Sequence, residues 1–222
     1  LMDKNVGMML SIPIVASVIP IAVGAALSMK LKRKKQIVVV FFGDAALEEG
    51  VYHESANFAS VHELPILFVC ENNKYSCFTN IKDRQPSEDF TRFAKCHKIK
   101  SHRMFGNNVM NIFNFTKTIV SDMKKNPLPF FLQLDTYRNV EHCGPYNDDK
   151  LSYRNSQEIN YWTRRDPVKL YIQSLIKNNK ISDIELNKLK EKLNKEISEA
   201  FIFAENDDFP KISTLNKFIY AN

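Results

Sequence analysis

The sequence predicts an α/β fold: a parallel sheet flanked by helices, with further helices at the carboxy-terminal end. Two unbroken apolar runs, the β-branched and aromatic 37–42 and then 65–70, predict it, because strands this apolar are covered on both faces. The helical pattern between them, Leu47 to Val61, is the third sign. Strand, helix, strand with short links is a βαβ unit, and its crossover is right-handed.

The 222 residues are 44% hydrophobic and 11% aromatic, enough for one large domain or one domain with a helical appendage. Residues 1–165 are expected to form the α/β domain and residues 166–222 a helical extension packed on it. The formal net charge of +6 comes from lysines spread along the chain, densest at Lys30–Lys35 and between Lys177 and Lys195. Such an excess is a solvated surface without aromatic interleaving, which argues against nucleic acid as a partner.

Cys70, Cys77, Cys96 and Cys143 include no CxxC pair, so reduced thiols are the plain expectation. Cys96-His97, with His102 beyond, hints at metal ligation, but no second ligand pair stands at zinc spacing and the sequence assigns no site there. The chain opens at Leu1 and its pattern begins at once, which reads as a fragment lacking its amino-terminal region. A bacterial-type cytoplasmic location is expected, with mitochondrion and plastid left open because any targeting signal would be missing too.

The most apolar stretch, 11–29, approaches the ~20 residues of a membrane span. Pro13 and Pro20 break it, Ser11, Ser17 and Ser28 interrupt it, and Gly24-Ala25-Ala26 suits close packing. A buried helix starting near Pro20 is expected instead, and no membrane. After the first strand, helix and second strand come a helix at 90–97, another at 112–124 and a third strand at 129–134. Residues 137–154, with Gly144-Pro145 and Asn147-Asp148-Asp149, form a polar loop, in which Asp148 and Asp149 are expected to be solvated. Amphipathic helices follow at 168–176 and 183–205.

Ligands of open parallel sheets bind outside the carboxyl ends of the strands. Two strands here end in Asp44 and in Asn72-Asn73, a carboxylate and an amide oxygen that suit a hard cation such as Mg²⁺. The turn Gly43 to Ala46 enters a helix, whose free NH groups can hold a phosphate. A magnesium-diphosphate site fits this convergence; plain helix and turn capping fits it too. His53-Glu54 is not a zinc-protease helix, because Asn57 stands where the second histidine would be.

The order of short motifs is more specific. Phe42-Gly43-Asp44-Ala45-Ala46, then Glu49-Gly50, His53-Glu54, Asn57-Phe58-Ala59, Leu64-Pro65 and Glu71-Asn72-Asn73-Lys74-Tyr75 resembles the thiamine diphosphate motif. In particular it resembles the alpha subunit of the first component of 2-oxo acid dehydrogenase complexes. Ile19-Pro20-Ile21-Ala22-Val23-Gly24, Gly106-Asn107-Asn108-Val109, Thr136-Tyr137-Arg138 and Trp162…Asp166-Pro167 extend the likeness over nearly the whole chain.

The resemblance implies a thiamine-diphosphate-binding fold, with Asp44, Asn73 and the Tyr75 carbonyl as Mg²⁺ ligands. Ala45 and Ala46 would offer NH groups to the diphosphate of thiamine diphosphate, Pro13 and Val15 would lie along it, and His142 would reach it from the loop with a catalytic role. It implies oxidative decarboxylation of a 2-oxo acid with acyl transfer to a lipoyl group. The partners implied are a beta subunit in an α2β2 heterotetramer and a dihydrolipoyl acyltransferase. The chain departs from the family at Ala45, a glycine position, where a positive φ would strain the turn by ~1 kcal/mol. Glu141, Cys143, Phe105 and Asn108 depart as well. A thiamine-dependent acyl or aldehyde transferase and a non-catalytic cofactor-holding subunit are the rival readings.

Overall fold

A computed structural model describes residues 2–215 and 217. The chain divides into two compact units, Leu1–Tyr171 and Ile172–Asn222. In the first, helix α1 (Val18–Leu31) leads into strand β1 (Val38–Gly43), a 3-10 turn (Asp44–Glu48), helix α2 (Gly50–Val61) and strand β2 (Ile66–Asn72). A ribbon of two short strands, β3 (Tyr75–Ser76) and β4 (Thr79–Asn80), follows, then α3 (Thr91–Cys96), β5 (Lys100–Phe105), α4 (Val109–Lys125), β6 (Phe130–Asp135) and α5 (Ser156–Thr163).

The main sheet has the order β1-β2-β6-β5, parallel throughout. On one face, Ile19, Val23 and Ala26 of α1 and Tyr52, Ala56 and Ala59 of α2 pack on Val40, Phe42, Phe68 and Phe131. On the other, Ile119 and Met123 of α4 cover Leu67, Val69 and Leu132. The parallel α/β architecture and the unit β1-α2-β2 are therefore as the sequence predicts.

Several details differ. Helix α1 starts at Val18, two residues before the expected Pro20, because the proline ring is tolerated in a first turn whose NH groups have no partner within the helix. The helix expected from Leu47 is split: Glu49, with φ −81° and ψ 132°, separates the 3-10 turn from α2. β1 is not covered on both faces, since Val39 is 41% and Phe41 60% exposed. It is the edge strand, and the α4 cluster reaches only as far as β2.

Strand β5 and helix α5 had no expectation in the sequence. In β5, Lys-Ser-His-Arg-Met-Phe lacks an apolar run because it forms the other edge of the sheet. What fixes it is the turn behind it. Gly106 donates its NH to the Asp135 carbonyl at 2.7 Å, and a Cβ there would meet that oxygen at 2.9 Å. α5 carries Trp162, which stacks on Tyr137 with centroids 5.6 Å apart and an interplanar angle of 2°. No helix is long and apolar enough to cross a membrane, among the described residues.

Helix α6 (Pro167–Lys177) spans the division between the units, and α7 (Asp183–Asn206) lies in the second. A capping box opens α7: Ser182 Oγ accepts the Glu185 NH, and the Glu185 carboxylate accepts the Ser182 NH.

Candidate functional site

The carboxyl ends of β1 and β2 open onto a cavity of about 1030 Å³. Its wall includes Pro13, Val15, Asp44, Ala45, Ala46, Asn73, Tyr75 and His142, every residue the sequence nominated. These come from four separated segments, so the fold brings together side chains up to 129 residues apart in sequence, the span from Pro13 to His142. The volume is at the upper end for small-molecule sites.

Asp44 is 1% exposed at the end of β1. Its Oδ2 accepts from Arg84 Nη2 at 2.5 Å, and the same guanidinium pairs with Glu48 through Nη1. Arg84 follows the β3-β4 ribbon, and nothing in the local sequence pattern singled it out. Gly43 carries φ −75°, and Ala45 is not among the residues with positive φ. The strain expected at Ala45 is therefore absent, because the 3-10 turn accepts an ordinary L-residue there. The short turn also means that Ala45 and Ala46 present their NH groups from one tight turn, not from the first turn of α2.

The two neighbouring asparagines have different tasks. Asn72 is fully buried: its Nδ2 donates to Asp135 Oδ1 at 3.0 Å and its Oδ1 accepts the Lys74 NH at 3.2 Å. Asn73 stands on the cavity wall, and its Oδ1 accepts the Tyr75 NH at 3.0 Å, which fixes the amide's direction. Lys74, between Asn73 and Tyr75, takes φ 72°. Ala16 and Cys77, both on the cavity wall, are also left-handed, at φ 62° and 48°. Such backbone costs about 1 kcal/mol each and survives where its surroundings dictate it.

Below the site, Gln133 is fully buried and accepts the Phe90 NH at 2.8 Å. Its Nε2 donates to the Glu88 carbonyl and to Asp135 Oδ1, both at 2.8 Å. A glutamine inside the apolar run Phe130-Phe131-Leu132-Gln133-Leu134 was the one sign of this network in the sequence. Burial drives the Cys70 thiol well above its usual range, with Asp44, Asp135 and Glu71 adding to the effect.

His142 is exposed and reaches the cavity from the loop 137–154. The base of that loop is pinned. Arg154, with a side chain 1% exposed, pairs with Asp148 and Asp149 and donates to the Arg138 carbonyl. Arg138 donates to the Cys77 carbonyl at 2.6 Å and to the Tyr153 hydroxyl at 2.8 Å. Asp148 is thus not a solvated loop residue: it is 5% exposed, the partner of a buried cation. Tyr75 joins the same region by donating its hydroxyl to Glu158 at 2.6 Å, and burial first, then Glu158, pushes its pKa up.

The donors on the wall suit a hard cation beside an anion. A carboxylate and an amide oxygen, from Asp44 and Asn73, are oxygen ligands of the kind Mg²⁺ takes with phosphate completing the shell. Among the described residues Asp44 is the only acidic side chain lining the cavity.

Comparison with known proteins agrees with the order of motifs. The family model described as "Dehydrogenase E1 component" matches residues 1–213. A 2-oxoisovalerate dehydrogenase subunit alpha 2, mitochondrial, of Arabidopsis thaliana is 30% identical over 93% of this chain and 43% of its own length. A pyruvate dehydrogenase E1 component subunit alpha, testis-specific form, mitochondrial, of Rattus norvegicus is 31% identical over 93% of this chain and 52% of its own. The pyruvate dehydrogenase E1 component subunit alpha of Rickettsia bellii (strain RML369-C) is 27% identical over 94% and 63%. The chain spans about half the length of the curated relatives it matches.

Proposed function

The chain belongs to the dehydrogenase E1 component family, and from that premise we propose that it serves as the alpha subunit of a thiamine-diphosphate-dependent 2-oxo acid dehydrogenase. The reaction would be oxidative decarboxylation of a 2-oxo acid, with the acyl unit passed to a lipoyl group on a dihydrolipoyl acyltransferase. The observation that carries this reading is the single cavity lined by Pro13, Val15, Asp44, Ala45, Ala46, Asn73, Tyr75 and His142.

In this reading Asp44, Asn73 and the Tyr75 carbonyl hold Mg²⁺, and the Ala45 and Ala46 NH groups meet the diphosphate. Thiamine diphosphate, when bound, supplies the carbanion and electron sink that decarboxylation needs. The protein's own contribution is position and charge. Arg84 offsets the buried carboxylate of Asp44. Pro13 and Val15 give an apolar wall that keeps water from the cofactor's length. His142, on a loop held at its base by Arg154, can donate to a phosphate oxygen and adds positive charge when protonated.

The relatives' description as alpha subunits supports a beta subunit as partner, which we place in an α2β2 heterotetramer. The four free cysteines are consistent with a reducing compartment such as a bacterial cytoplasm. Relatives of the chain include both bacterial and mitochondrial forms.

The test is carbon dioxide release from pyruvate and from 2-oxoisovalerate by the full-length chain assembled with its beta subunit. Turnover of one of them that needs both chains is expected. An assembled, folded complex that turns over neither would sink the reading.

A further inference from the structure

Away from the cavity, the start of α2 meets the end of α3. His53 Nδ1 lies 3.1 Å from His97 Nε2. With Cys96 Sγ, these ligand atoms all lie within 4.8 Å of one another. Cys96 is exposed, and both histidines are half-buried. Phe93 stands edge-on to His53, with centroids 5.2 Å apart and planes at 88°, which holds that ring toward its partner.

We propose that His53, Cys96 and His97 form a binding site for a borderline divalent transition metal of the zinc class, stapling the first turn of α2 to the last residue of α3. The chemistry is soft enough to exclude the hard cation of the cavity. One thiolate and two imidazoles are a common zinc donor set, and they leave a fourth position for water. The geometry is close to what the ion needs. With Zn–N near ~2.05 Å, two nitrogens 3.1 Å apart subtend roughly 98° at the metal, within easy reach of a tetrahedral angle.

Two adjustments complete the site. Cys96 Sγ now donates to the Phe93 carbonyl at 2.9 Å; on binding it gives up that proton to solvent and turns, through one side-chain torsion at an exposed position. The imidazole whose proton now sits between Nδ1 and Nε2 shifts to its other tautomer, so both facing nitrogens donate lone pairs to the metal. One proton leaves and no electron moves.

Sequence spacing concealed this site because Cys96 and His97 are adjacent while His53 is 43 and 44 residues away, on another helix. The contact between α2 and α3 across the core is what joins them.

The experiment is titration of Co²⁺ into the metal-free, full-length protein in a non-chelating reductant, followed by absorption. Thiolate-to-cobalt charge transfer and the visible bands of a four-coordinate ion should grow to one equivalent. Zn²⁺ should displace them, whereas excess Mg²⁺ should not. Cys96→Ser, at an exposed position that leaves the fold intact, should abolish the charge-transfer band. His53→Gln should weaken binding more than about tenfold. Zn²⁺ should also raise the unfolding midpoint of the parent protein and not of Cys96→Ser. A band that never forms, or one that survives Cys96→Ser and disappears in Cys77→Ser or Cys143→Ser, would overturn the proposal.

Discussion

Arg84 places its guanidinium 2.5 Å from the carboxylate of Asp44 while also pairing with Glu48. A residue from beyond the β3-β4 ribbon therefore neutralises the acid at the end of β1, and the cavity floor depends on two segments at once. If Asp44 also holds Mg²⁺, removing Arg84 should make the site lean on the metal. Arg84→Met is expected to cost the metal-free protein about 3 kcal/mol, because a buried carboxylate loses its partner. Added Mg²⁺ with thiamine diphosphate should then raise the unfolding midpoint of the variant more than that of the parent protein. Equal shifts would show that the metal and Arg84 do not share the carboxylate.

Gln133 ties three segments together below the site. Gln133→Leu fills much the same volume but orphans the Phe90 NH and the Glu88 carbonyl. Denaturant unfolding should show a loss of about 2–4 kcal/mol. A loss under about 0.5 kcal/mol would mean that these groups find other partners.

Tyr52 behaves in the opposite way. Its ring packs between Phe42, Phe68 and Phe131, yet its buried hydroxyl has no hydrogen-bond partner among the described residues. Tyr52→Phe should therefore be neutral or stabilise the fold by up to about 1 kcal/mol, as read from the shift in denaturant midpoint. Destabilisation beyond about 1 kcal/mol would reveal a partner for the hydroxyl.

Asp89 gives the acid limb of stability a specific source. Burial pushes its pKa up, but donors from the Thr91 hydroxyl and NH, with Lys95 and Arg103, together hold it below the ordinary value. A carboxyl lowered in the folded state adds stability above its unfolded pKa of about 3.9. That stability is lost as pH falls through the folded value. Asp89→Asn should lower stability at neutral pH, and its difference from the parent should close below about pH 4. A difference constant across that range would rule out this source.

The sheet and the site were unequally legible. Strand β2 could be read because burial writes itself as an apolar run, and β1 because its run is as apolar even though alternate residues are exposed; Asp44 and Asn73 stand on the cavity wall because the strand ends of a parallel sheet border one opening. β5 was hidden: an edge strand held by the Gly106–Asp135 contact needs no apolar run. Arg84, Arg154 and Asp148 were hidden for another reason. A charged residue in a polar loop looks the same whether water or a buried partner receives it, and only the tertiary fold decides. The adjacent pair Asn72-Asn73 shows the limit well: the sequence offers two amides, and burial assigns one to the scaffold and leaves the other on the cavity wall.

Whether the cavity holds the cofactor can be read by calorimetric titration of thiamine diphosphate, with and without Mg²⁺, into the full-length chain assembled with its beta subunit, beside Asp44→Asn. Binding should require Mg²⁺ and be lost in Asp44→Asn. Binding that ignores Mg²⁺ or survives the substitution, or no binding by the folded complex, would mean that Asp44 does not hold a metal for this cofactor.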